Sequence, residues 1–127
     1  MSGFALTVGQ QMAEILEDYS EEVKETKDKV FKEVAKESAS KLRNTSPRRP
    51  NHGEYARSWT YKTERDGSVV VYCKAPHYRL THLLENGHVI RNKKGTYGRT
   101  NGIKHIKPVE EWANGAVVEK ITMELEK

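Results

Sequence analysis

His82, Glu85 and His88 stand close together in the chain, and two imidazoles beside a carboxylate are the residue types that bind a metal or move protons. A helical zinc site needs two histidines four apart on one face. Here they are six apart and straddle Gly87, so they do not share a helical face and no metal site is expected. As acid–base chemistry, His82 or His88 would be the base and Glu85 the acid, the constellation of a small basic ribonuclease-like toxin. No nucleophile elbow, paired carboxylate at a defined spacing or second catalytic motif accompanies it. The same residues have a structural use, in which Glu85 and His88 make hydrogen bonds that fix the following loop to a helix end. Downstream, G-T-Y-G-R-T-N-G is neither a Walker loop nor the dinucleotide fingerprint, so no phosphate-binding cofactor is implied.

The remaining chemistry-bearing residues are sparse. Cys73 ends the run Val69-Val70-Val71-Tyr72 and reads as a buried thiol. A single cysteine excludes an internal disulfide framework. His52, His77 and His105 add no ligand spacing and are expected in loops and on the surface. The net charge is +4, with Asp and Glu crowded toward the two ends and Lys and Arg prevailing from Arg43 to Lys107. Arg48, Arg49, Lys93, Lys94, Arg99 and Lys104 are therefore candidates for an interface or for an anionic surface. Used without sequence preference, these cations would make a nonspecific nucleic-acid-binding module whose affinity falls with salt.

The elements that would carry these residues follow from periodicity. A length of 127 residues suits one domain, and 35% hydrophobic against 31% charged residues gives a thin core that neighbours could help complete. No apolar run approaches a membrane span, and no leader precedes the chain, so synthesis in the cytoplasm and no membrane partner are expected. Met12, Leu16, Tyr19, Val23, Val30, Val34, Ser38 and Leu42 recur at helical spacing, which predicts a long amphipathic helix within 1–44, capped by Thr7 with Gln10. Tyr55 to Thr63 alternates as a strand with an aromatic face, Asp66-Gly67 turns the chain, and Ser68 to Lys74 returns. Tyr78 to Asn86 is a short helix closed by Gly87 in the left-handed C-cap position, and His88 begins a short strand, completing the segment 54–92. Residues 93–107 read as a flexible basic loop. Pro108 opens a last helix over 108–127, with Glu110 and Glu111 in its first turn and Trp112 as a core anchor. The fold class is thus α+β: a long N-terminal helix and a C-terminal helix packed on a small antiparallel β-sheet.

One further signal is a resemblance. The order of an N-terminal helix, NHGEYARSW, a hairpin, YRLTHLLENGHVIRNKKG, a glycine-rich segment and IKHIKPVEEWA resembles the head-tail joining, or tail-completion, minor structural proteins of long-tailed bacteriophages and prophages. The likeness runs from about Arg43 to Ala113. It implies a virion protein without catalytic residues that forms a homo-oligomeric ring, a hexamer being one such ring, between the head connector and the tail-tube proteins. By position it makes Leu83, Leu84, Glu85, Gly87 and His88 a structural pivot and 92–104 the part that orders on assembly. The basic middle would face the DNA passage, as a nonspecific contact, or an acidic partner rim. Where relatives carry an aromatic after the glutamate, this chain has Asn86.

Overall fold

The computed structural model describes residues 3–8, 17, 21–48, 50–92 and 95–126. Helix α1, Glu21–Thr45, places Val30, Val34, Ser38 and Leu42 one turn apart, with Phe31, Ala35 and Ala39 beside them, and all of these are buried. Ser38 fits this stripe because its hydroxyl donates to Val34 O, one turn back, at 2.8 Å. The last helix, Ile106–Leu125, answers with Val109, Ala113, Val117 and Ile121 buried at intervals of four. It runs antiparallel to α1: Lys41 Nζ lies 4.4 Å from the centre of the Trp112 ring, and Lys120 Nζ lies 3.4 Å from Glu37 Oε1.

Strands β2, Trp59–Thr63, and β3, Val69–Cys73, form an antiparallel hairpin in which Trp59 faces Cys73 and Thr63 faces Val69. The Asp66-Gly67 turn is as expected: Gly67 has φ +90°, and Asp66 Oδ1 accepts from Ser68 N at 2.9 Å. A third strand, β1, Gly3–Ala5, pairs with the other edge of β3, giving the order β1-β3-β2. β3 is the centre of this sheet, and Val69, Val71 and Cys73 join Phe4, Trp59 and the α1 stripe in one hydrophobic cluster. α1 lies on the sheet and the last helix lies on α1, the α+β arrangement of two helices and small antiparallel sheets that the periodicity predicts.

Several local expectations give way to tertiary packing. The expected strand from Tyr55 begins only at Trp59: Glu54–Arg57 is a single helical turn, α2, after a 3-10 turn at Pro50–Gly53. Tyr55 and Ala56 are both buried, which two consecutive residues of a one-faced strand cannot be. Residues 3–5, expected within the helical segment 1–44, are strand β1, too short to show any period. The start of the long helix, with Gln10, lies outside the described residues. After a 3-10 turn, His77–Leu80, helix α3 covers Thr81–Asn86. Part of the expected flexible basic loop is a strand: β4, Gly87–Asn92, pairs with β5, Gly95–Asn101, with a register shift at Ile90/Arg91. Backbone pairing needs no apolar side chains, so its composition concealed it. The last helix, α4, starts at Ile106, ahead of Pro108, and Glu110 and Glu111 fall beyond its first turn.

Candidate functional site

Helix α3 leads from the hairpin into the second half of the chain. Its inner side carries Thr81 and Glu85, both buried, while Leu84 packs half-buried against the core and His82 and Leu83 face outward. Thr81 Oγ1 donates to Tyr78 O at 2.9 Å, tying the helix to the turn before it. The helix ends at Gly87, whose backbone (φ +78°, ψ 173°) leads directly into β4 and does not form the expected left-handed cap. A Cβ there would lie 2.2 Å from Thr100 O, so glycine is required where the ribbon folds back on itself.

Glu85 is held by the start of α4, twenty residues further on. Its Oε1 accepts from His105 N at 2.8 Å and Ile106 N at 2.9 Å, and its Oε2 accepts from Lys107 N at 3.0 Å. These are amides that a helix leaves without internal partners, and a carboxylate also complements the positive end of the helix dipole. The first turn of α4 therefore obtains its acid from another helix. Burial pushes the Glu85 pKa up, but the amides of Ile106, His105 and Lys107, with the His105 ring, outweigh it and hold the pKa below the ordinary value.

His105 completes the clasp and corrects the expectation of a surface histidine: it is 2% exposed. Its Nδ1 lies 2.6 Å from Ile103 O and 3.0 Å from Glu85 Oε1. A carbonyl only accepts, so Nδ1 carries a proton. In the neutral ring, Nε2 then accepts from Tyr55 Oη at 2.7 Å. Tyr55 sits edge-on to both His105 and Trp59, and burial raises its phenol pKa well above the ordinary value. Neither Tyr55 nor His105 stood out by spacing, because the contact spans fifty residues of sequence.

The expected acid–base group does not assemble around Glu85. Both its oxygens serve α4, while the exposed His88 turns Nδ1 to Thr100 Oγ1 at 3.0 Å, and the same hydroxyl accepts from His88 N at 3.1 Å. His82 lines an open cleft of about 350 Å3 beside Gly3, Thr81 and Lys107. The basic candidates divide into two places. Arg99 Nη2 donates to Asn86 O at 3.1 Å and Lys104 Nζ to Asn86 Oδ1 at 2.5 Å, so Asn86 anchors the root of the β4–β5 ribbon. Arg48 lies elsewhere, its Nη2 donating to Arg43 O at 2.7 Å. Arg49, Lys93 and Lys94 lie outside the described residues. Among the described residues no cluster of His, Cys, Asp and Glu is placed to hold a metal, and no helix is long and apolar enough to cross a membrane.

The long helix on a small sheet, the acidic clasp and the ribbon beside it are the frame against which the sequence was compared with protein families. Residues 10–87 match the HK97-gp10-like family, described as a tail component of bacteriophage HK97, and the chain belongs to that family of phage tail components. The match takes in the long helix, the three-stranded sheet's hairpin and α3 up to Gly87, and it starts earlier and ends earlier than the resemblance noted from Arg43 to Ala113. Searches of curated proteins and of solved structures return no match.

Proposed function

We propose that this tail component completes the tail and joins it to the head connector as a subunit of an oligomeric ring, in the virion and without catalysis. The observation that carries the reading is the β4–β5 ribbon, which packs chiefly on itself and on α3 rather than on the main core. A two-stranded ribbon is marginal alone in water, and both its outer edges keep backbone groups open to further pairing. At its root, Leu83 and Ile103 are 44% and 56% exposed on either side of the bond from Ile103 N to Leu84 O. Such a surface is completed naturally by a neighbouring subunit.

The test is assembly. Light scattering and negative-stain imaging of the purified protein, alone and with head-connector and tail-tube proteins, are expected to show a closed ring that binds at least one of them. A strict monomer that binds neither ends this reading.

A further inference from the structure

Charge is distributed along this molecule in two opposite poles. Residues 86–109 hold six Lys and Arg and no Asp or Glu, whereas residues 14–28 hold seven Asp and Glu against two Lys. The fold sets the described residues of these stretches apart. Because α4 runs antiparallel to α1, with Trp112 at Lys41 and Lys120 at Glu37, the root of the ribbon lies beside the last turn of α1. The first turns of α1 extend toward the other end. α1 alone measures about 37 Å, at ~1.5 Å per residue. Glu17, Glu21, Glu25 and Asp28 are exposed at that end, with Lys24 paired to Glu21 at 3.5 Å. Arg99 and Lys104 are exposed at the ribbon root. With a screening length of ~8 Å in physiological salt, two poles so far apart do little for each other within one molecule.

We propose that the acidic first turns of α1 in one subunit receive the basic ribbon of the next, so that subunits join head to tail. This rests on the ring reading above and names its contact. A contact between two different patches of one chain is heterologous, the kind that closes into a ring when the rotation between subunits allows it. The occupant is a second copy of this chain because the complementary charge is present in the chain itself.

Two charge reversals of the full-length protein test it: R99E/K104E on the ribbon side and E21K/E25K on α1. Sedimentation velocity should show wild-type assembly weakening about tenfold or more between 50 and 300 mM salt. Each reversed protein alone should be about a hundredfold weaker in self-association, because like poles then meet. An equimolar mixture of the two should assemble again, since each reversed ribbon meets a reversed helix and each native ribbon a native one. Reversed proteins that assemble alone as wild type does, or a mixture of folded variants that stays monomeric, overturns the contact. Should R99E/K104E fail to fold because both side chains also hold Asn86, R99Q/K104Q serves in its place, and undiminished assembly of that variant counts against us. A wild-type ring indifferent to all of these leaves the ring reading standing and places its interface elsewhere. A wild type that stays monomeric even with connector protein removes both.

Discussion

Replacing Glu85 tests the clasp that joins α3 to the last helix. A single side-chain cap at a helix start contributes about 0.5 to 2 kcal/mol. Glu85 accepts from three amides at 2.8 to 3.0 Å and touches a buried imidazole, with its side chain only 10% exposed. Charge-assisted bonds of this kind contribute ~1.5 to 3 kcal/mol each but are not additive, since they share two oxygens. We expect E85A to lose about 3 to 4 kcal/mol and E85Q, which keeps one acceptor oxygen, about 2 kcal/mol. At roughly 3 to 5 °C per kcal/mol for a domain of this size, E85A should melt about 9 to 20 °C below wild type by circular dichroism. pH supplies the sign. The folded pKa of Glu85 is depressed, so its contribution is complete above the ordinary carboxylate value of about 4.3 and is lost as pH falls through the lower folded value. The gap between wild type and E85Q should therefore be widest near neutrality and close in acid. A loss under ~1 kcal/mol, or a gap that does not narrow in acid, would refute the clasp as the link between α3 and α4.

Glycines give a paired contrast. A Cβ on Gly102 would lie 2.3 Å from Glu85 O and 2.6 Å from Asn86 C, so G102A should cost about 2 kcal/mol or more, whereas Gly115 in α4 has open space and G115A should add up to about 1 kcal/mol; thermal melts of both check this. Y55F leaves His105 Nε2 without its donor in a buried site and should lower stability by about 1 to 3 kcal/mol in urea titrations, with an unchanged m-value. Burial pushes the Cys73 thiol pKa up to about 11, so a thiol reagent at pH 8 should leave the native protein unmodified for hours and react at once on denaturation.

Much of the fold was legible along the chain because it depends on neighbours in sequence. The stripe Val30, Val34, Ser38, Leu42 is one face of a helix by spacing alone, and Asp66-Gly67 specifies its turn through Gly67's positive φ and the Asp66 side chain. Cys73 is buried because β3 is apolar on both faces. The family, too, was legible in the sequence: the resemblance read from Arg43 to Ala113 overlaps the family match over residues 10–87 as far as Gly87.

What spacing could not show is what the chain does at a distance. Glu85 could be singled out as an acid, but its partners are amides at 105 to 107, and no local pattern says that a helix will take its cap from another helix. His105 looked like a surface residue until Tyr55, fifty positions earlier, closed over it. The β5 half of the ribbon read as a loop because paired backbones leave no signature in glycines and lysines. The sequence by itself determined which faces are apolar, where the chain turns and how its charge is divided. Only tertiary structure decided that Glu85 clasps the start of α4 through three backbone amides, and that Glu21 and Glu25 stand far from Arg99 and Lys104, since both depend on the antiparallel docking of α4 on α1.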